Sequence, residues 1–453
     1  MRALVVAAPA SGAGKTVLTL GLLRALGAGG RVVAAAKAGP DYIDPQFHRL
    51  ASGRPSVNLD GWAMSPTRLR ALAARQGAPL LIVEGAMGAL DAAADGSGSA
   101  ADVAAALGAP LLLVLDISGQ GHSAALAPAG LRALRPEVPL AGVILNQVAS
   151  PRHEALARSA LASLGVTVFG ALPRSPGLHL PSRHLGLVLP AEVADAEAVV
   201  SRAAEIVATH VDLEALSASA LPLAPAGDAG ARLPPPGQRI ALAEDAAFVF
   251  AYPHLLADWR ARGAEVLPFA PLDDRGPPAE ADAVFLPGGY PELHAGRLAV
   301  SEGFRRAMAA AAARGAVIWG ECGGYMALGE ALVDAEGRTH RMLGMLPLVT
   351  SFAERRLTLG YRRLVPRAAC PWRIPLAGHE FHYATILKEG AADRIFDATD
   401  AAGEALPAMG LARDSVAGSF AHVIGPMESR GGPRRGDRIW LYVSRLRTYT
   451  VSA

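Results

Sequence analysis

An apolar run, Leu4–Ala8, leads straight into Pro9-Ala10-Ser11-Gly12-Ala13-Gly14-Lys15-Thr16, and a helical pattern follows over Val17–Leu26. Strand, glycine-bearing loop and helix in that order form a phosphate cradle. Gly12 and Gly14 let the backbone bend so that its N–H groups face inward. The helix N-terminus adds partial positive charge at the same point. Lys15 is expected on the β- and γ-phosphates of a nucleotide and Thr16 on its Mg²⁺. Pro9 stands where the motif G-x-x-x-x-G-K-[ST] has its first glycine. Proline donates no N–H there, but its fixed φ can hold the strand exit. An ordinary glycine-rich turn carrying a chance Lys-Thr is the competing explanation, and the strand–loop–helix context outweighs it.

The unit repeats. Val32–Ala36, Leu80–Val83, Leu111–Leu115 and Val143–Leu145 read as buried parallel strands, separated by helical stretches such as Pro66–Ala74. Alternating strands and helices predict a doubly wound α/β domain. Ligands of such sheets gather outside the carboxyl ends of the strands. Polar residues just after each run are therefore the candidates. Lys37-Ala38-Gly39-Pro40-Asp41-Tyr42-Ile43-Asp44-Pro45 follows the second run. Asp41 and Asp44 can ligate Mg²⁺ or hold a nucleophile; a solvated Asp-Pro turn explains the pair equally well. Glu84 closes Leu80–Val83 and is expected to complete a Mg²⁺ shell with Thr16 and Asp41. Gly85 and Gly88 allow close approach of a ligand, and Asp91 is a second candidate acid. Asn146 ends another run, where its amide can read an adenine edge; a turn residue is nearly as good an account.

The chain changes character between Leu213 and Gly237, where Leu221-Pro222-Leu223-Ala224-Pro225 and Leu233-Pro234-Pro235-Pro236-Gly237 read as a linker. A second strand series follows at Arg239–Ala243, Ala264–Phe269, Ala283–Leu286 and Ala316–Gly320. Its last strand opens into Glu321-Cys322-Gly323-Gly324-Tyr325. A cysteine on a sharp strand-to-helix turn has the geometry of a nucleophile elbow. The helix start is expected to lower its thiol pKa and favour attack on a carboxamide. Backbone N–H groups of Gly288, Gly289 and Gly323 are candidates for an oxyanion hole. His422, in Gly418-Ser419-Phe420-Ala421-His422, is the candidate base. Plain core packing for the cysteine, and a satisfied histidine, are the alternatives that the joint pattern outweighs.

These motifs carry a resemblance. The second half looks like a class I glutamine amidotransferase domain. The whole chain resembles the cobyrinic acid or hydrogenobyrinic acid a,c-diamide synthases through Pro9–Thr16, Lys37–Pro45, Glu84–Asp91, Pro287–Glu292, Gly320–Gly324, Gly378-His379-Glu380-Phe381-His382-Tyr383 and Ser419–His422. The resemblance implies a dethiobiotin-synthetase-like N-terminal domain that binds ATP·Mg²⁺ and a corrinoid polycarboxylic acid. A peripheral carboxylate becomes an acyl phosphate, Cys322 releases ammonia from L-glutamine, and ammonia forms the amide, first at the c- and then at the a-acetate. It places Asp41, Asp44, Glu84 and Asp91 around the phosphates and the reacting carboxylate, and sets Gly378–Tyr383 against the corrinoid or the domain interface. With one phosphate loop and one nucleophilic cysteine, both arms must visit one site in turn. Ile43, apolar and lying between Asp41 and Asp44, is the candidate for positioning an arm. Class I amidotransferases mostly carry a glutamate two residues after the histidine, where Ile424 stands here. The corrinoid branch typically lacks it too, which implies a slow dyad.

The expected boundaries are an amidoligase domain at 1–212, a Pro-rich linker at 213–237, an amidotransferase domain at 238–426 and a basic tail at 427–453. Composition supports two cores: 453 residues, 51% hydrophobic and 19% charged. A net charge of +2 calls for no nucleic acid or membrane surface. The most apolar run, near Ala109–Leu115, falls short of the ~20 residues that span a bilayer. Two cysteines and no signal-peptide pattern point to a cytosolic protein. The oligomeric state is open, homodimers being common for such folds. Two other functions compete. One is a cobyric acid synthase-type enzyme, whose N-terminal half lacks the Gly-Pro-Asp-Tyr-Ile-Asp-Pro segment. The other is a P-loop regulatory or partitioning ATPase with a dead amidotransferase domain. Ala10, standing where partition ATPases carry a second lysine, argues against the latter.

Overall fold

The computed structural model describes residues 1–428 except 176, 177, 179, 181, 184, 185, 228, 229, 368 and 369. From residue 429 on, the expected basic tail lies outside the described residues.

The N-terminal sheet contains β1 (Arg2–Ala7), β2 (Val33–Ala38), β3 (Val57–Leu59), β4 (Leu80–Glu84), β5 (Leu111–Asp116), β6 (Leu140–Val148) and β7 (Val168–Pro173). Their order is β3-β2-β4-β1-β5-β6-β7, with every neighbouring pair parallel. The continuous apolar runs are explained by burial on both faces. The connection order reverses at β1, so the ligand crevice opens beyond its carboxyl end. Register sets what meets there: Glu84 lies level with Val6 on one side and Lys37 on the other. Helix α1 (Lys15–Ala28) leaves the phosphate loop, and α2 (Asp44–Ser52) starts inside the acidic segment.

The C-terminal half begins with the expected strands. Glu265–Phe269, Arg239–Ala243, Ala283–Leu286, Val317–Glu321 and Val416–Ser419 lie parallel in that order, with Leu411–Arg413 antiparallel at the edge. Beyond the expectation is a five-stranded antiparallel sheet: Ala405–Met409, Phe396–Asp400, Thr358–Pro366, Leu376–His382 and His422–Pro426. It carries His422 and His382 at strand ends, which is how residues far apart in sequence converge.

The segment expected as linker starts as structure. Leu213–Ser219 is helical, and Leu221–Pro222 pairs antiparallel with β1. Further on, Leu233 is fully buried, and Trp372 Nε1 donates to the Pro234 carbonyl at 2.9 Å. The proline-rich stretch is thus tied to both halves.

The halves share buried polar contacts. Arg68 pairs with Asp258, and Arg75 reaches the same carboxylate at 3.2 Å. Trp62 stacks on Tyr361 with ring centroids 4.4 Å apart, and the Tyr361 hydroxyl donates to Asp60 at 3.0 Å. Asp258→Ala strands Arg68, a 4% exposed guanidinium, without its counter-charge. The expected cost is about 3–5 kcal/mol, read as a lower Tm in thermal unfolding. An unchanged Tm would show that this pair does not hold the halves together.

Candidate active sites

The phosphate loop has the backbone it needs. Gly12 and Gly14 have φ of 81° and 94°, in the left-handed region. A Cβ on Gly14 would lie 2.4 Å from Asn146 Nδ2. That amide, expected at an adenine edge, donates to the Ala13 carbonyl at 2.9 Å and so braces the loop. Lys15 is 7% exposed and folds back to its own loop, its ammonium donating to the Ala10 carbonyl at 3.4 Å. Burial, with the charge of Lys37, pushes its pKa down.

Glu84 is the hub. It is fully buried. Thr16 donates to Oε1 at 2.6 Å, Lys37 reaches the same oxygen at 3.0 Å, and His48 Nε2 lies 2.7 Å from Oε2. His48 Nδ1 is held in turn at 3.1 Å from the Ser56 hydroxyl. Burial opposes the charge on Glu84, yet Lys37 and the bonds from His48 and Thr16 hold it below the usual carboxylate range. Burial likewise opposes the Lys37 charge, and Asp44, Glu84 and Asp41 together push its pKa up. Lys37 also pairs with Asp44. Lys37 has no role assigned from its segment alone; its place at the end of a strand beside the one that carries Glu84 was the available signal. His48, one histidine on a helix, gave none.

The remaining acids divide. Asp41 Oδ1 accepts from the backbone N–H groups of Ile43 and Asp44 at 2.7 and 3.0 Å, which caps the turn into α2. Asp91 Oδ2 accepts from Gly88 N–H at 2.8 Å, and its charge acts on Lys15. Ile43 departs from expectation: it is 3% exposed and packed in the core beside Phe47. An apolar side chain next to that core gains more from burial than from a polar crevice, so any effect of Ile43 on an arm passes through the turn it anchors. For Mg²⁺ the donors fit. Thr16 and Glu84 offer hard oxygens at one point. That suits a cation held largely by nucleotide phosphates.

At the second site, Val317–Glu321 runs into Cys322, whose φ of 47° and ψ of −104° lie outside the allowed basins of a side-chain-bearing residue. The strain marks the expected elbow. The expected low thiol pKa is not found: burial pushes it well up, with Glu292 adding to the shift, against a single lowering bond from Gly323 N–H. The helix that follows, Gly323–Leu328, has only 6 residues. The three candidate oxyanion glycines converge. A Cβ on Gly323 would lie 3.0 Å from Gly289 N, and one on Gly288 would lie 2.2 Å from His422 Cε1. The imidazole thus lies directly over a glycine that must stay bare.

A cavity of about 230 Å³ opens at the thiol, lined by Cys322, Gly289, Tyr290, Glu292, Arg355 and His382. His422 is 2% exposed, and burial, with His379 and His382 nearby, pushes its pKa down to about 3. It is therefore uncharged at neutral pH, as a base must be. The segment Gly378–Tyr383 serves both cavity and interface: His382 lines the former, and the His379 ring lies 5.1 Å from Tyr361, which stacks on Trp62.

The two sites touch. Tyr42, between Asp41 and Ile43, stacks on Phe250 and Tyr252 at 5.1 and 4.3 Å and lies 5.0 Å from the His422 ring.

Comparison with known proteins agrees with this pairing. Residues 4–188 match the CobQ/CobB/MinD/ParA nucleotide binding domain, and residues 239–428 the CobB/CobQ-like glutamine amidotransferase domain. The chain is 55% identical to hydrogenobyrinate a,c-diamide synthase of Brucella abortus, over 94% of this chain and 98% of that one. Its likeness to the enzyme of the same name from Rhizobium meliloti is 53% over 94% and 99%, and to that from Rhodobacter capsulatus 54% over 93% and 98%. With a nucleotide-binding half and an amidotransferase half matched nearly end to end, the chain belongs to the hydrogenobyrinate a,c-diamide synthase family.

Proposed function

We propose that the chain converts the a- and c-acetate carboxylates of hydrogenobyrinic acid to amides, drawing nitrogen from glutamine and energy from ATP. The metal-free corrinoid is preferred to cobyrinic acid because the relatives carry its name. The observation that carries the coupled reaction is Tyr42, which spans from the acidic segment to the His422 ring.

At the elbow, His422 takes the proton of Cys322, and the thiolate attacks the glutamine carboxamide. Ammonia leaves, and water then hydrolyses the thioester to glutamate. Gly288, Gly289 and Gly323 supply N–H donors for the oxyanion. Glu292 and Arg355 give the cavity both signs of charge, as an amino-acid zwitterion requires. At the phosphate loop, a corrinoid carboxylate attacks the γ-phosphate, forming an acyl phosphate and ADP. Lys15 and Lys37 neutralise charge on the transferring group, and Glu84 orients Thr16. Mg²⁺, held through Thr16 and Glu84, adds further charge neutralisation when bound. Ammonia displaces phosphate from the acyl carbon and the amide forms. Cytosolic location and a homodimer complete the proposal; among the described residues no helix is long and apolar enough to cross a membrane.

One site serving two arms implies release and rebinding of a monoamide. Ile43→Ala loosens the turn that presents Asp41 and Asp44, so it is expected to slow the second amidation more than the first. A loss of ~1.4 kcal/mol in orienting one arm is a tenfold rate difference, enough for monoamide to accumulate. Time-resolved chromatography checks this. Wild-type enzyme giving diamide with no free intermediate under excess substrate would argue for processive amidation and against this model.

A further inference from the structure

His422 has an unanswered need. A catalytic imidazole accepts a proton at Nε2 only if Nδ1 carries one, and an acceptor at Nδ1 is what fixes that tautomer. His422 Nδ1 is buried and has no hydrogen-bond partner. Two residues along its own strand stands Ile424, 1% exposed and apolar. The parallel sheet that carries the nucleophile offers a carboxylate instead. Glu321, directly before the nucleophile, is 2% exposed, with Oε2 3.8 Å from His422 Nδ1. Its other oxygen accepts from Trp319 Nε1 at 3.0 Å and from the backbone N–H of Val423 at 3.1 Å. Val423 adjoins His422, so the carboxylate is clamped to the strand that carries the base. A small pivot about that clamp closes the remaining gap.

We propose that Glu321 is the positioning carboxylate of His422, accepting Nδ1–H so that Nε2 faces the Cys322 thiol as a base. The proposal rests on the assignment of Cys322 and His422 as the glutamine-hydrolysing pair. It replaces the slow unassisted dyad that Ile424 implied with a triad whose acid arrives from the other sheet.

The ionisation state matters. Burial pushes Glu321 up to about 8. The other titratable groups facing the pair are Tyr42 and Tyr252 from the domain interface, His379 and His382 from the antiparallel sheet, and Cys322 itself. A protonated Glu321 donates to Nδ1 and holds the wrong tautomer; the ionised form accepts and holds the right one. Glutamine hydrolysis should therefore rise as pH passes about 8. Glu321→Gln freezes the wrong state. Its amide oxygen must face Trp319 and Val423, both donors, so its NH₂ faces His422.

The test is glutaminase activity of the full chain from pH 6 to 10. Glu321→Gln should lower kcat about tenfold or more at high pH with little change in KM, and should flatten the pH rise. Iodoacetamide alkylation of Cys322 supplies a second readout. In a His422→Ala background, Glu321→Gln should no longer lower the alkylation rate, because the assistance passes through the imidazole and the remaining direct effect of the Glu321 charge is to oppose the thiolate. A further fall there, or wild-type kcat and pH profile in Glu321→Gln alone, would overturn the proposal. If Glu321→Gln does not fold, the pH profile of alkylation decides: a rise near 8 present in wild type and absent in His422→Ala supports the proposal, and its persistence in His422→Ala refutes it. Wild-type enzyme without any glutaminase activity would instead refute the Cys322–His422 assignment.

Discussion

Cys322→Ser abolishes glutamine-dependent synthesis and leaves ammonia-dependent synthesis working. A serine hydroxyl in the same strained position keeps the elbow but loses the nucleophile, since its pKa is far above that of a thiol and the base is a buried, weakly basic histidine. The loss should be about 10³-fold or more in glutaminase kcat. Ammonia added from solution needs neither Cys322 nor His422, because the carboxylate is activated at the phosphate loop. Substitution is mild, so folding is not the cause: Cys322 is 3% exposed and serine is smaller. Parallel assays with glutamine and with ammonium chloride check the split. Equal loss of both reactions in folded protein would mean that the two half-reactions do not occupy two sites.

Lys15→Ala and Glu84→Gln are expected to abolish synthesis with either nitrogen source. Lys15 supplies charge to the transferring phosphoryl group, and removing such a group costs about 10²–10³-fold. Glu84 is a harder case to test cleanly. Glu84→Ala would leave Lys37 with Asp44 alone and His48 Nε2 without its partner in a dry interior, destabilising the domain, so lost activity would be ambiguous. Glutamine keeps the shape and the bond from Thr16, and removes the charge that pairs with Lys37 and that the proposal sets against the cation. Glutaminase activity should survive in both variants. Near-normal turnover in either would remove that residue from the nucleotide site.

Both sites were legible in the sequence because each follows a strand that alternation of apolar runs reveals. Pro66–Ala74, Arg239–Ala243 and Ala283–Leu286 have the expected bounds, and the other expected strands shift by a few residues. The antiparallel sheet was not legible. Thr358–Pro366 buries only Arg362 and Leu364 among its nine residues, and neither marks a strand by hydropathy. The Glu84 hub was half visible. Its acid ends a run, but Lys37 and His48 arrive through register and helix packing, which no local pattern encodes. Ile43 is packed in the core, a placement that its apolar character between two acids did not reveal. Glu321 was hidden for a different reason. The usual carboxylate would stand on the strand of His422, whereas the fold brings Glu321 to it from another sheet. The thiol was misjudged because a helix start was weighed without the burial around it.

The most direct measurement follows purified chain with hydrogenobyrinic acid, ATP, Mg²⁺ and glutamine by mass spectrometry, with ADP and glutamate counted alongside. The account requires two successive carboxylate-to-amide conversions at the a- and c-acetates, each with one ADP and at least one glutamate, and slower turnover with cobyrinic acid. ADP and glutamate accumulating while the corrinoid stays unamidated, or amides appearing on other carboxylates, would contradict it.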